Sequence, residues 1–359
     1  MIKKLTCLTV AIALVMAFSF VGFGQQAQAQ DGVVGIVFSI GGLGDMSFND
    51  LAYDGLSQAE EELGIDFTHI EPDDTADFDP ALRGLAEMEL DLVIGTGFLQ
   101  EEEVNRVAEE FPHVNFAHID PDDPFADRHE NIRGLSFAEH EGSFLAGVLA
   151  ALVTESNHVG YIGGIDSPLI NRFEGGFVQG VEYVEEDLGK DIEMSRTYAG
   201  SFDDYTRGRE IALGFIDDGA DVIYHAAGGV GEGLFTAAAE EDIYAIGVDS
   251  NQNWIEPGNI IASKLKRVDV AVYETIEDVL ASDFDGGYNQ QFNLEMDGVG
   301  ITPLEAEVDE AIRDDLSEEE IEAIEEMKAE VTAPHAEYVE NVKQKIIDGE
   351  IEIEDWARQ

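Results

Sequence analysis

The sequence predicts an α/β protein of two lobes, each built on a doubly wound sheet of parallel strands. Three features of the chain predict this fold: strand-length runs that are apolar throughout, longer helical stretches between them, and small or polar residues directly after most runs. Strands without polar alternation are typical of parallel sheets that helices cover on both faces. The regular alternation of strand and helix indicates the doubly wound architecture.

The predicted strands and helices follow one another along most of the chain. The predicted strands are Val33–Ser39, Leu92–Thr96, Val114–Ile119, Val159–Gly163, Val222–His225, Ala245–Val248 and Ile260–Ser263. The predicted helices are Phe48–Leu63, Pro80–Met88, Glu101–Glu110, Glu139–Thr154, Leu169–Leu188, Tyr205–Asp218, Gly231–Glu241 and Val268–Leu280. Because open α/β sheets bind ligands beyond the carboxyl ends of their strands, we expect the site among the residues that follow the strands.

Two lobes are favoured over one large sheet. The chain has 359 residues, of which 44% are apolar, so it is long enough for two domains with a core in each. The segment Asn131–Ala138 contains the Gly and Ser expected where the chain crosses between lobes. We therefore assign residues 30–137 and 262–284 to the first lobe, and residues 138–261 and 285–359 to the second.

The chain after Ala281 departs from the strand–helix alternation. Phe292–Ile301 is predicted to form hairpin strands. Ser317, followed three residues later by Glu320, predicts a capping box that opens an acidic helix. A last helix is predicted near Pro334–Ile347.

The first 29 residues have the pattern of a secretory signal peptide. Lys3 and Lys4 form a positive start, Leu5–Phe23 is mostly apolar, and Ala27 and Ala29 form a small-x-small cleavage site. The protein is therefore expected in a periplasm or another extracytoplasmic space. The alternative is an uncleaved membrane anchor, because the apolar run is long enough to span a bilayer.

The chain has a single cysteine, Cys7, which lies within the predicted signal and before most of its apolar run. A lipid-bearing cysteine is expected after that run, so the position does not favour a lipid anchor. The chain beyond the signal then has no thiol, no disulfide and no cysteine metal site.

The charge of the chain excludes one class of partner. Lys and Arg number 19 against 77 Asp and Glu, which gives a net charge of −58. Such a chain repels nucleic acid. The acids are spread over the whole sequence, and we interpret them as an adaptation to concentrated salt, which screens charge repulsion over about 3 Å at molar ionic strength. Cation storage is the rival interpretation, but it predicts clustered acidic loops and no calcium-loop pattern is present.

The motifs of common enzymes are absent from the sequence. It contains no Gly-x-Ser-x-Gly, no His-Glu-x-x-His and no phosphate-binding Gly-x4-Gly-Lys-Ser/Thr pattern. The glycines that follow Ala227 do not match the dinucleotide fingerprint, because the third comes one residue early. We therefore expect a binding protein with no cofactor, no metal and no catalytic residue. An enzyme built from loop residues distant in sequence remains the alternative.

The first predicted helix opens with residues suited to binding a small molecule. Asp45 or Ser47 is placed to cap the helix, and Asn49 and Tyr53 are four residues apart and so share one face. Beyond the strand ends, an acceptor, an amide and an aromatic ring would point at one site. The alternative is an ordinary cap with a core aromatic, and Phe48 is assigned to the core.

Two further strand ends carry candidate residues. Lys264 follows the small pair Ala262 and Ser263, and its ammonium is suited to donate to a hydroxyl or carbonyl of a ligand. The alternative is a salt bridge with one of the many acids. Asp249 follows a buried strand and is suited to accept from a sugar diol, or else to cap a helix.

The chain resembles the basic membrane protein family, the purine-nucleoside-binding proteins of ABC importers. The matching segments are GDMSFND at 44–50, VNFAHID at 114–120, EGSFLAG at 141–147, YIGG at 161–164, RFEGGFVQG at 172–180, GSFDD at 200–204, GADVIYHAAGGVG at 219–231, AIGVDSNQ at 245–252 and SKLKR at 263–267. The resemblance implies a type I periplasmic-binding-protein fold, with two Rossmann-like lobes joined by a hinge and closing on the ligand. It also implies a membrane permease with its ATPase as partner, and a monomer is expected.

The resemblance implies roles for individual residues. Tyr53 and Phe173 would sandwich the base, from the first and second lobe respectively. The other implied contacts are Asp45 and Asn49 with base edges, and Asp120, Asp249 and Lys264 with ribose hydroxyls, near the Gly228 backbone.

The sequence departs from the family pattern at several positions. Many relatives carry a lipidated cysteine after the signal, and this chain does not, which favours a freely diffusing protein. Met46 stands where lysine is common, and Tyr53 where Phe or Trp often stands. Other functions left open are binding of a sugar or flavin, a sensor that delivers ligand to a membrane receptor, and a secreted nucleoside hydrolase or phosphorylase.

Overall fold

The computed structural model describes residues 32–123, 127–313 and 316–358. The predicted signal segment, with Cys7, lies outside the described residues. No helix within the described ranges has the length and apolar character needed to cross a membrane.

Twelve strands form two six-stranded sheets in the described part of the chain. The first sheet contains β1 (Val33–Val37), β2 (Asp66–Ile70), β3 (Leu92–Thr96), β4 (Asn115–Ile119), β5 (Ile132–Phe137) and β11 (Tyr288–Phe292). The second contains β6 (His158–Gly163), β7 (Glu193–Tyr198), β8 (Val222–Ala226), β9 (Tyr244–Asp249), β10 (Ile260–Lys266) and β12 (Val299–Ile301).

Helices connect most of the strands. Those of the strand–helix alternation are α1 (Phe48–Leu63), α2 (Phe78–Glu87), α3 (Glu101–Glu110), α4 (Glu139–Val153), α5 (Pro168–Leu188), α6 (Tyr205–Asp217), α7 (Val230–Glu241) and α8 (Val268–Leu280). Those of the C-terminal part are α9 (Glu310–Arg313), α10 (Glu318–Met327) and α11 (Ala336–Ile347). The predicted capping box is present at the start of α10, where Ser317 and Glu320 bond each other's backbone N–H groups.

The two sheets repeat the same strand order. The first runs β2-β1-β3-β4-β5-β11 and the second β7-β6-β8-β9-β10-β12, and every pair except β10–β12 is parallel. This is a doubly wound order with a switch point beside β1 and another beside β6. Strands such as β3, β6 and β8 are buried along their whole length and largely apolar, as expected where helices cover both faces of a sheet. The predicted two-lobed α/β fold is confirmed.

The chain crosses between the sheets after β5, after β10 and between β11 and β12. The predicted crossing segment, Asn131–Ala138, instead forms β5 inside the first sheet, and the crossing follows at once into α4 of the second lobe. A second crossing follows β10, since α8 packs against α1 of the first lobe. The predicted boundary at residue 262 is therefore wrong for β10, which pairs with β9 in the second sheet.

The predicted hairpin at Phe292–Ile301 is also wrong. β11 pairs in parallel with β5 in the first sheet, although residues from 285 onward were assigned to the second lobe. β12 pairs antiparallel with β10 in the second sheet. The two strands belong to different lobes because the intervening residues form the third crossing, a tertiary arrangement that local strand patterns do not encode.

Candidate functional site

A cavity of about 250 Å³ lies where the carboxyl ends of the two sheets face each other. Residues that follow β1, β3 and β4 line it from the first lobe, and residues at the ends of β8, β9 and β10 line it from the second. The cavity therefore occupies the expected place in an open α/β sheet. Its volume is just below the roughly 300–1,000 Å³ common for ligand pockets, which suits a small molecule.

Four phenylalanines line the cavity. They are Phe48 and Phe98 from the first lobe, and Phe173 and Phe202 from the second. Phe98 and Phe202 meet across the opening, with ring centroids 6.2 Å apart in an edge-to-face arrangement. Phe48 and Phe202 are only partly buried, so their rings keep surface for a ligand.

The structure places Tyr53 away from the cavity, although the family resemblance implied that its ring would sandwich the base. Its ring packs edge-on against Phe67 and His69 of β2, with centroids 5.6 and 5.9 Å away, and it does not line the cavity. Phe48, which the sequence analysis assigned to the core, lines it instead. Phe48 is the first residue of α1, and Tyr53 begins the second turn, so the direction of the helix decided which ring reaches the cavity.

Asp45 holds the N-terminus of α1. Its carboxylate accepts hydrogen bonds from the backbone N–H groups of Ser47, Asn49 and Asp50 at 2.9–3.2 Å. Burial raises the pKa of Asp45 to about 6, although these hydrogen bonds favour the ionised form. Asp45 and Asn49 both line the cavity, and the side-chain carbonyl of Asn49 also accepts a hydrogen bond from the backbone N–H of Ser39.

Polar contacts join the two lobes beside the cavity. The Ser47 hydroxyl, at the start of α1, donates to Asp249 Oδ2 over 2.7 Å. The neighbouring Met46 carbonyl accepts from Ser250 Oγ at 2.7 Å and from Gln252 Nε2 at 3.1 Å. Ser47 does not line the cavity, so its hydroxyl acts on the cavity through Asp249, which does.

A buried ion pair lies at the junction of the lobes. Lys266, the last residue of β10, pairs with Asp120, which follows β4, and its Nζ lies 3.5 Å from the Glu139 carboxylate. Burial raises the pKa of Asp120 to about 6, against the opposing effect of the Lys266 ammonium. Burial alone would lower the pKa of Lys266, but Asp120 and Glu139 raise it. Asp120 Oδ1 is buried without a hydrogen-bond partner among the described residues.

The ion pairs continue from Glu139 to the C-terminal segment. Arg172, buried on α5 next to Phe173, pairs with Glu139. The guanidinium also lies 3.1 Å from the Asp355 carboxylate. The C-terminal segment thereby supplies a second counter-charge to Arg172, the neighbour of the cavity-lining Phe173.

Lys264 is placed differently from the sequence prediction. Its side chain is fully buried, and its ammonium lies 4.3 Å from the Phe173 ring centroid, with no hydrogen-bond partner among the described residues. Burial, aided by the nearby Lys266 charge, lowers the pKa of Lys264 to about 8. Lys266, two residues further along β10, lines the cavity. Because successive residues of a strand alternate between faces, Lys264 and Lys266 lie on the same face of β10. Lys266 is the one that lines the cavity, and it stands at the end of the strand.

Asp120 and Asp249 share an unusual backbone conformation. Both are left-handed, with φ of 58° and 66°, at the ends of β4 and β9. Such non-glycine positions cluster at functional sites, where surrounding structure compensates for the strain. Gly228, with φ of 53°, lines the cavity at the end of the turn before α7.

Several cavity residues were missed by sequence reasoning. Besides Phe48 and Lys266, they include Phe98, Phe202, Asp203 and Glu232. Phe202 and Asp203 lie in the matched segment GSFDD, so that segment was a usable signal. Within the described ranges, no group of three or more His, Cys, Asp or Glu side chains is arranged to hold a metal ion.

This arrangement agrees with the comparison with known proteins. Residues 33–355 match the family described as "ABC transporter substrate-binding protein PnrA-like". The chain belongs to this family. A solute-binding protein of an ABC transporter from Aeropyrum pernix is 34% identical, with a TM-score of 0.82 over 89% of this chain and 92% of that one.

Two sequence relatives extend the comparison. A protein of Lactococcus lactis named "ABC transporter nucleoside-binding protein BmpA" is 30% identical over 77% of this chain and 84% of its own length. A protein of Pyrococcus furiosus named as an uncharacterized lipoprotein is 32% identical over 96% of this chain and 91% of its own length.

Family membership fixes the coarse function of the chain. It is an ABC-transporter substrate-binding protein, and proteins of this kind act outside the cytoplasm, with a small-molecule ligand and a membrane permease as partners. A relative named as a lipoprotein makes a lipid anchor compatible with the family, contrary to the expectation of a freely diffusing protein. The family is one of binding proteins, not of enzymes.

Proposed function

We propose that the protein captures a purine nucleoside between its lobes and delivers it to an ABC importer in an extracytoplasmic space. The observation that carries the proposal is the combination of aromatic rings from both lobes with buried carboxylates and a lysine in one small cavity. A flat base needs ring faces, and a ribose needs acceptors and donors for its hydroxyls. The name of the Lactococcus relative supports the same ligand class.

The base stacks between Phe48 of the first lobe and Phe202 of the second. Both rings line the cavity, and both are partly buried, unlike the nearly fully buried Phe173. The Phe173 ring faces the Lys264 ammonium, 4.3 Å from its centroid, whereas the Lys266 ammonium lies near both Phe48 and Phe173, at 5.1 and 5.4 Å from their centroids. Base–aromatic stacking is worth about 1–3 kcal/mol per base, so the exposed faces of these two rings contribute substantially to affinity.

The ribose hydroxyls bind at the junction of the lobes. Asp120 Oδ1 has no hydrogen-bond partner in the described structure, and an unpaired buried acceptor is costly unless a ligand donates to it. Asp249 and Lys266 line the same cavity, and Gly228 adds backbone groups. A site of this kind rejects ligands that lack the matching hydroxyls, because its own polar groups are left unpaired.

Sugar or flavin binding is the second candidate within the same class. The buried carboxylates suit any hydroxylated ligand, but a free sugar would leave the rings of Phe48 and Phe202 without a partner of matching size. The small cavity disfavours a flavin.

Calorimetric titration with guanosine, adenosine, inosine, ribose and riboflavin tests the proposal. We expect a purine nucleoside to bind at least 100-fold more tightly than ribose or riboflavin. Tighter binding of ribose or riboflavin would overturn the nucleoside assignment. Incubation with inosine, followed by chromatography, tests the absence of chemistry, and release of free base would show a hydrolase instead.

A further inference from the structure

The acidic character of the cavity wall restricts the ligand further than its shape does. Five carboxylate side chains line the cavity, from Asp45, Asp120, Asp203, Glu232 and Asp249. The cation among the described lining residues is Lys266, which is already paired with Asp120 and close to Glu139. A ligand phosphate would therefore meet an excess of negative charge on the described cavity wall.

The N-termini of α1 and α7, which both reach the cavity, carry carboxylates where a phosphate would bind. Helix N-termini commonly bind anions through free backbone N–H groups and the helix dipole. At α1 the Asp45 carboxylate already accepts three of these N–H groups. At α7 the glycine-rich turn at Gly228 and Gly229 lines the cavity, but Glu232 in the first turn of the helix lines it too.

Glu232 differs from the other carboxylates in having no partner. Asp45 accepts hydrogen bonds from backbone N–H groups. Asp120 accepts one from Lys266, and Asp249 accepts one from the Ser47 hydroxyl. Among the described residues no group bonds to the Glu232 carboxylate, and its pKa is raised by burial alone. A β-carbon built on Gly229 would lie 3.8 Å from Glu232 Oε1 and 4.0 Å from the Asp203 Cα, so both acids stand at this glycine turn.

We propose that the cavity accepts uncharged nucleosides and rejects their phosphorylated forms, and that Glu232 is the main residue responsible. Its carboxylate covers the glycine-rich start of α7, where a phosphate would otherwise bind. It also remains free to accept an N–H or O–H group from the ligand. This inference rests on the proposed nucleoside function and adds the exclusion of nucleotides to it.

The test compares guanosine with guanosine 5′-monophosphate by calorimetry at fixed ionic strength. For the unmodified protein we expect the nucleotide to bind at least 100-fold more weakly than the nucleoside. Glu232→Gln keeps the side-chain shape, removes the charge and adds a donor, so we expect the ratio of the two affinities to fall at least fivefold. Asp203→Asn should lower it by a smaller factor.

A matched control removes a charge elsewhere on the same helix. Glu241→Gln changes an exposed side chain at the end of α7, and we expect it to alter the ratio less than twofold. Equal affinities of the unmodified protein for both ligands would overturn the inference, as would an unchanged ratio in Glu232→Gln or an equal effect of the control. If guanosine itself does not bind, and the other purine nucleosides fail too, the proposed function fails instead.

Discussion

The hydroxyl of Ser47 and the carboxylate of Asp249 share a 2.7 Å hydrogen bond that connects the two lobes at the edge of the cavity. Ser47 precedes α1 of the first lobe, and Asp249 ends β9 of the second. Because Asp249 also lines the cavity, this bond both orients the carboxylate and adds to the other contacts that hold the lobes together. Ser47 thus contacts a cavity-lining carboxylate without lining the cavity itself.

Ser47→Ala is expected to weaken nucleoside binding about tenfold. The substitution removes the donor to Asp249, and hydrogen bonds to charged groups contribute roughly 1.5–3 kcal/mol, while about 1.4 kcal/mol corresponds to tenfold. Calorimetry measures the affinity, with Ser57→Ala in the middle of α1 as the control. Equal affinities of the two variants would show that the interlobe bond does not support binding.

Phe48→Ala is expected to affect ligand binding, and Tyr53→Ala is expected to affect stability. Loss of the Phe48 ring should weaken binding at least tenfold, because it removes a stacking face. Loss of Tyr53 should change affinity less than twofold but lower the free energy of unfolding by about 2 kcal/mol, because its ring packs on Phe67 and His69. Calorimetry and denaturant titration of both variants measure the two effects, and a large binding defect in Tyr53→Ala would restore it to the site.

The two neighbouring lysines provide a second contrast. Lys266→Met should destabilise the fold by about 3–5 kcal/mol and abolish tight binding, because Asp120 and Glu139 lose their shared counter-charge. Lys264→Met should leave the melting temperature equal or higher, because burial disfavours this charge and no carboxylate pairs with it in the described structure.

Thermal unfolding and calorimetry distinguish these outcomes. A binding defect in Lys264→Met as large as that in Lys266→Met would indicate that Lys264 reaches the ligand directly.

Asp45 is expected to make stability depend on pH. Its pKa is about 6 in the folded protein against 3.8 in the unfolded chain, so between about pH 4 and 6 the unfolded chain loses this proton first. The free energy of unfolding should therefore fall as pH rises through that window, by roughly 2–3 kcal/mol from this group. Denaturant titrations across the window should show a smaller slope for Asp45→Asn.

Glu60→Gln is the control for that experiment, because it removes one exposed charge from the same helix. If Asp45→Asn and Glu60→Gln keep the same slope as the unmodified protein, the buried carboxylate does not cause the dependence.

Stability is also expected to rise with salt. A net charge of −58 destabilises the folded chain through repulsion at low ionic strength, and molar salt screens charges beyond about 3 Å. We expect the melting temperature to increase by at least 5 °C between about 0.05 and 2 M sodium chloride, on the scale expected for about 1–2 kcal/mol of stability. A constant melting temperature over this range would contradict the interpretation of the acids as a salt adaptation.

Local sequence patterns predicted individual strands and helix caps correctly, but they did not predict which distant segments pair in a sheet. The strands around Leu92–Thr96 and Val222–His225 were predictable because parallel strands buried on both faces have nearly continuous apolar runs. The capping box at Ser317 was predictable because its partners are three residues apart. The assignment of β10 and β11 to their sheets was not, since it depends on which strand lies alongside.

For the candidate site, the sequence by itself predicted that carboxylates and glycines follow the strands, with Asp120, Gly228 and Asp249 among them, while Phe173 was implied only by the family resemblance. Only the tertiary structure decided that Phe48 and not Tyr53 lines the cavity, and that Lys266 and not Lys264 does so. The physical reason is that the choice between neighbouring side chains depends on how a helix or strand end is oriented when the lobes pack. Residue type and spacing do not determine how that helix or strand end is oriented.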